Sequence, residues 1–336
     1  MLVALSFNRM FKSFVGTAVM AACLVVPISA SAQTFPTKPI TLIVPTAPGG
    51  PVDVTARLVA SEMSTILKQR VVVENRPGGA QKIGIQSLLR APRDGYTFAA
   101  ASGASLAINP LIDSAIGYDS LKDFTFLSFA IELPTVLVVN PAVPARSLVE
   151  LVAYAKANPG KLTYGSGGNG TSLHFGTEEF LSLLGINALH VPYKSSGPAL
   201  LGLLASEISM LMPDVGTAKS HIIAGKLIPL ANSGVKRSED LPNVPTFNET
   251  GIKEVKDYSG YKQWVGFIAA ADMPQEAATI LQKAIDQSLN AAKVKESFRT
   301  MGYPVVNSTP QQFATRLRLE LESNKKLMAS GAVKLQ

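Results

Sequence analysis

Short β-branched runs that are apolar on both faces recur along this chain from residue 40 onward, with longer amphipathic stretches between them. Such runs belong to strands covered on two sides, the situation of a parallel sheet flanked by helices. Residues 40–44, 71–74, 96–101, 136–139, 162–164, 188–191, 208–212, 227–231 and 264–269 read as strands. Between them Val59, Met63, Ile66 and Leu67 keep helical spacing. Ser147 with Glu150 forms a capping box whose helix is stopped by Asn158-Pro159-Gly160, and Thr309 with Gln312 opens another helix at Pro310. The class is α/β. The spacing suggests a crossing near Pro134 and a return near residue 262, giving one lobe from 33–134 plus 263–336 and a second from 135–262.

Composition narrows the class further. With 336 residues, 47% apolar and 16% charged, the chain is neither disordered nor a disulfide scaffold. Arg9 and Lys12 without an acid, an apolar stretch over 14–28 and the small residues Ala30-Ser31-Ala32 follow the plan of a secretory leader cleaved after Ala32. That apolar stretch, interrupted by Pro27, is shorter than the roughly 20 residues a spanning helix needs. The single cysteine, Cys23, lies inside it behind a poor lipobox, Met20-Ala21-Ala22. A chain from residue 33 onward therefore carries no thiol for nucleophilic, redox or zinc chemistry.

Chemistry is expected in the loops. The first strand ends in Pro45-Thr46-Ala47-Pro48-Gly49-Gly50-Pro51-Val52-Asp53, and a helix follows at once. A Gly-rich turn between a strand's carboxyl end and a helix's amino end exposes backbone N–H groups beside a positive dipole end, which suits an anion. Tyr164-Gly165-Ser166-Gly167-Gly168-Asn169-Gly170-Thr171-Ser172 is a second such turn, with Ser166, Thr171 and Ser172 as added hydroxyl donors, and Ser102-Gly103-Ala104-Ser105 a weaker third. Asp53 reads as an N-cap, and His174, in the first turn of the second helix, reads as structural, with facing a ligand as the alternative.

Other chemistries find little support. Gly165, Gly167 and Gly170 satisfy G-x-G-x-x-G, but the next strand ends in Leu189-His190-Val191-Pro192 without the acid a dinucleotide site needs. No Lys-Ser or Lys-Thr closes either loop, no G-x-S-x-G elbow occurs, and His174, His190 and His221 lack metal spacing. His190 and His221 read as packed or solvated. Lys and Arg are dispersed without aromatic interleaving, which argues against nucleic acid although the net charge is +7. No cofactor is expected, and Trp264 reads as packing between lobes.

At these residues the sequence resembles the periplasmic substrate-binding proteins of tripartite tricarboxylate transporters, the Bug family. Ordered blocks carry the resemblance: Phe35-Pro36-Thr37-Lys38-Pro39-Ile40, Val73-Glu74-Asn75-Arg76-Pro77-Gly78-Gly79, Asp94-Gly95-Tyr96-Thr97, Gly168-Asn169-Gly170-Thr171, His190-Val191-Pro192-Tyr193-Lys194 and Leu241-Pro242-Asn243-Val244-Pro245-Thr246. It implies a two-lobed periplasmic-binding-protein-like fold with a hinged cleft between two doubly wound sheets. It also implies a monomer without enzymatic activity that presents a small organic carboxylate to membrane transporter subunits. A ligand-presenting component of a sensor, or an exported hydrolase, are the alternatives. The family's binding loops map onto Thr46, Ala47, Gly49, Gly50 and Asp53 in one lobe and onto Ser166, Gly167, Asn169, Gly170, Thr171 and Ser172 in the other, with Ser102, His174, Lys194 and Asp214 around the cleft. Thr46 stands where the family usually has Phe, Pro51 where it has Gly, and Met212-Pro213-Asp214 replaces Phe-Asp-Asn.

Overall fold

The computed structural model describes residues 35–333 apart from 235, 257, 259–262, 330 and 332. The expected leader and Cys23 lie outside the described residues. Strand β1 (Ile40–Val44) sends Ile40, Leu42 and Val44 to one layer of helices and Ile43 to the other, the period of two expected of a strand covered on both faces. The first layer contains α1 (Pro51–Leu67), which contributes Ala56, Val59 and Met63. The second contains α2 (Lys82–Arg90), which contributes Ile85 and Leu88. Strands β2 (Val71–Asn75) and β3 (Thr97–Ala101) flank β1 in parallel, with Ile40 opposite Val71 and Thr41 opposite Thr97. Beyond β3 comes the short helix α3 (Asn109–Ile112), preceded by a π-helical turn at Ala104–Ile108.

Strand β4 (Phe124–Leu133) was absent from the sequence expectation, yet it is ten residues long. Its pairing carries two register shifts, which break the alternation that a periodicity reading relies on. From β4 the chain passes through Pro134 and Thr135 into a second sheet: β5 (Val136–Val139), β6 (Leu162–Ser166), β7 (Ala188–Pro192), β8 (Met210–Leu211) and β9 (Ile228–Asn232). Helices α4 (Leu148–Ala157), α5 (Ser172–Leu184), α6 (Ser196–Leu204) and α7 (Val215–Ile223) cover it. The chain then returns to the first sheet as β10 (Gln263–Ala270), followed by α8 (Gln275–Asn290), α9 (Ala292–Thr300) and α10 (Pro310–Ala329).

The two sheets share one plan. Their orders are β2-β1-β3-β10-β4 and β7-β6-β8-β5-β9, so in each the first strand after a crossing is inserted beside the edge strand. That strand runs antiparallel to both neighbours, so each sheet is mixed rather than wholly parallel. Of the two expected capping boxes, one forms in full. Ser147 caps α4 by accepting from the Glu150 amide, but Glu150 reaches past it to the Arg146 N–H. At α10 the exchange between Thr309 and Gln312 is reciprocal.

Trp264 does not pack between sheets. It is buried on β10 among Phe129 and Phe313 of the first sheet's own core and donates to Glu320 Oε2 at 2.9 Å. Its place follows from strand alternation: Trp264 and Ile268 face α10, whereas Val265 and Phe267 face α1 and α8.

Contact between the sheets is made around the crossing. There the β5–β9 ladder continues by one residue, the Thr135 N–H donating to Ser233 Oγ and its carbonyl accepting from the Ser233 amide, both at 2.9 Å. The start of α7 docks on the segment after α9, where a Cβ on Gly216 would lie 2.3 Å from the Met301 carbonyl oxygen. Beside it the Tyr303 hydroxyl donates to Asp214 Oδ1 at 2.8 Å, both groups being buried. A buried hydrogen bond to a charged acceptor contributes about 1.5–3 kcal/mol. Tyr303→Phe should lower the unfolding free energy by about 2 kcal/mol in urea denaturation, and an unchanged midpoint would show that this bond holds nothing together.

Candidate functional site

The first loop leaves β1 and enters α1 through Gly49, whose φ of +90° lies in the region glycine adopts without strain. Asp53 fixes that geometry. Its Oδ2 accepts from the Gly49 N–H at 2.9 Å and from Arg57 Nε at 3.0 Å, while Oδ1 accepts from Asn75 Nδ2 at 2.7 Å. Asn75 Nδ2 also donates to the Thr46 carbonyl, so the loop is tied to the end of β2. Burial alone would raise the Asp53 carboxyl, but the bonds from Arg57, Gly49 and Asn75 together with the Arg57 charge hold it below the usual range. Asp53 therefore departs from its expected role as N-cap. Gly50 is the N-cap, and the buried Asp53 carboxylate accepts from Gly49, Arg57 and Asn75, which shapes the loop.

Among the described residues no partner is found for the amides of Ala47, Gly50, Val52 and Asp53, the last three at the start of a 17-residue helix. The Thr46 hydroxyl is enclosed without a partner. Ser102, at the end of the neighbouring parallel strand, spends its O–H on Gln81 Oε1 at 2.8 Å and its N–H on Ser105 Oγ.

The second loop is held in a similar way. Ser166 is fully buried; its Oγ accepts from the Gly168 amide at 3.0 Å and lies 2.6 Å from His190 Nε2. Thr171 caps α5, its hydroxyl donating to the Gly168 carbonyl and accepting from the His174 amide. The Gly170 N–H donates to His174 Nδ1 at 3.2 Å. The His174 ring is buried and stacks on His190 with centroids 3.9 Å apart and planes 10° apart, and His190 stacks in turn on Tyr164. Burial, then the neighbouring His190, pushes His174 down to about 4, and burial lowers His190 as well. Ser166, Gly170, Thr171 and His174 thus hold the loop in shape through bonds within it. The amides of Gly167, Asn169, Ser172 and Leu173 are without partners among the described residues, at the head of a 13-residue helix.

Two other expected residues diverge. Asp214 is the buried N-cap of α7: Oδ1 accepts from the Thr217 N–H and Tyr303, and Oδ2 from the Thr217 hydroxyl. The carboxylate is thereby committed to capping α7 and to holding Tyr303. Lys194 is exposed beside the start of α6.

Sequence reasoning missed Asn75, Gln81 and Asn109, which brace the first-sheet loops, and it missed the second helix head at Ser195 and Ser196. A Cβ on Gly167 would lie 3.4 Å from the Ser196 amide nitrogen, so the heads of α5 and α6 are neighbours. The run Ser195-Ser196-Gly197-Pro198 was the available signal, an N-cap residue followed by a proline in the first turn.

Two α/β sheets joined by crossing strands, each presenting unspent helix-head amides at the carboxyl ends of parallel strands, define a two-lobed solute-binding protein of the periplasmic-binding-protein class. Residues 55–331 match the family described as tripartite tricarboxylate transporter family receptor. Protein BugT of Bordetella pertussis is 34% identical over 300 residues, covering 89% of this chain and 89% of BugT. A solved structure described as that of a periplasmic transporter superposes with a TM-score of 0.83 at 33% identity, covering 90% of this chain and all of the other. Rpa4515 of R. palustris, solved with adipate, gives 0.81 at 30% identity, covering 89% and 98%. The chain belongs to the tripartite tricarboxylate transporter receptor family. Among the described residues no helix is long and apolar enough to cross a membrane.

A base whose pKa is lower folded than unfolded contributes stability that is present above its ordinary value of 6.5 and is lost as pH falls through the interval down to about 4. For His174 the interval corresponds to about 3 kcal/mol. In urea denaturation the stability advantage of the wild type over His174→Phe should shrink by about that amount between pH 7 and pH 4. A constant difference would show that the ring protonates as freely folded as unfolded.

Proposed function

We propose that this protein is an exported, monomeric solute-binding protein that captures a small organic carboxylate between its lobes, 33–134 plus 263–336 and 135–262, and delivers it to a tripartite transporter in the membrane. It works without a cofactor and carries out no reaction. The leader expected over residues 1–32 supports a periplasmic location, and the resemblance to a protein solved with adipate supports the ligand class.

The observation that carries this reading is the set of unspent amides at two helix heads, around Ala47 to Asp53 and around Gly167 to Leu173. Burying a carboxylate costs several kcal/mol, each hydrogen bond to it returns about 1.5–3, and a helix terminus adds up to about 2. Three or four amides per carboxylate are therefore sufficient. Micromolar affinity needs about −8 kcal/mol net after the cost of immobilising the ligand, and two loops acting on one molecule meet that where one loop does not. A ligand gripped from both lobes favours the closed state by its extra contacts.

The first experiment is calorimetry across adipate, succinate, citrate, acetate and glutamate. At least one should bind with micromolar affinity, and no heat or thermal stabilisation with any of them would defeat the reading. Gly49→Val and Gly167→Val localise the site. Valine at 49 strains a backbone at φ +90°, and valine at 167 sends its methyls into the Ser195–Ser196 backbone that a Cβ already approaches to 3.4 Å. Each should weaken binding at least about tenfold (~1.4 kcal/mol) with a smaller change in melting temperature; unchanged affinity in both would place the site elsewhere.

A further inference from the structure

Asn109, at the start of α3, is 2% exposed. Its Nδ2 donates to the Ala80 carbonyl, which fixes which way the amide points. Its Oδ1 is closed off from solvent and accepts no hydrogen bond. What closes it off includes the second sheet's loop: a Cβ on Gly170 would lie 3.4 Å from Oδ1 and 2.8 Å from Ile112 Cδ1. The Gly170 N–H does not serve the oxygen, because it donates to His174. Nearby, Ile108 of the first lobe packs with Phe175 of α5. Gly170 reaches this contact at φ +73°, and with no side chain it lets the two lobes approach.

We propose that Asn109 sets the ligand affinity by opposing lobe closure. When the lobes meet, its amide oxygen is stripped of water and gains no partner; when they separate, water returns to it. An unpaired buried acceptor shifts an equilibrium by about tenfold or more, and here the equilibrium shifted is that between open and closed forms. The bond from Nδ2 to Ala80 lies within one lobe, so it is present in both forms and cancels. The proposal rests on the reading of the protein as a two-lobed receptor that closes on its ligand.

Removing the oxygen therefore has opposite effects on two measurable quantities. Asn109→Leu, close in shape, and Asn109→Ala both lose the Ala80 bond, so the ligand-free protein should melt slightly lower. Both should nevertheless bind more tightly, with Kd about tenfold lower. A merely structural defect would weaken binding as it lowers stability.

The test uses the full chain with Cys23→Ser and spin labels at Val72→Cys and Ile223→Cys, both exposed, the first on β2 and the second at the end of α7. The distance between labels is measured by double electron–electron resonance without ligand and with adipate, and the adipate Kd by calorimetry. The expected result is a larger short-distance population in ligand-free Asn109→Leu and Asn109→Ala than in the parent, with a lower Kd. An unchanged or more open ligand-free distribution in both variants overturns the proposal, as does weaker binding in both. If the parent binds no adipate, the ligand-free distances still decide the role of Asn109, and only the ligand assignment fails.

Discussion

A helix cannot satisfy its own first amides, and the architecture of this protein follows from where it spends those donors and where it leaves them unspent. At α1 and α5 the chain uses side chains to fix the loop and leaves a cluster of N–H groups outward. Asp53, Arg57 and Asn75 perform the fixing in the first lobe, and Ser166, Thr171, His174 and His190 in the second. The two sets differ chemically, one ionic and one a stack of neutral rings, yet both act on the backbone immediately before a helix. A loop held this way has little conformational freedom left to lose on binding a solute, so more of the hydrogen-bond energy would be available for affinity.

How much of this was legible in the sequence depends on how local the determining pattern is. The two Gly loops, the helix heads and the capping residues Ser147 and Thr309 are set by neighbours a few positions apart, and they stand where their residues put them. Strand β4 escaped because its partner β10 lies about 140 residues away and pairs with it through register shifts. The partners of Asp53 and Asp214 were not legible for one reason: an acid near a helix start looks the same whether its oxygens face a ligand or a backbone amide. Only the partners Asn75 and Tyr303, supplied by distant segments, decide it. Trp264 shows the same limit, since its burial was readable but the core it enters depends on which sheet β10 joins.

The insertion of β10 and β5 as antiparallel strands has a mechanical consequence. Each crossing feeds a strand bonded on both sides, so neither crossing can slide along its sheet without breaking a ladder of hydrogen bonds. Among the described residues, Pro134 and Thr135 link β4 to β5, and α7 touches the segment around Met301 and Tyr303. Gly216 is part of that contact because any side chain there would collide with a backbone carbonyl.

The stacked imidazoles impose a condition on the second loop that the first does not share. His174 must be neutral to accept the Gly170 N–H, because a protonated Nδ1 is itself a donor. Two imidazolium rings 3.9 Å apart would also repel in a site that burial has already made hostile to charge. A neutral stack is compatible with an anion held just outside it, since the positive character the anion needs comes from helix heads rather than from a titrating cation. The same anion would favour protonation of the rings behind it. Burial and the neighbouring His190 hold His174 down at about 4, which keeps that proton off in the neutral range, so the loop's support does not change charge there.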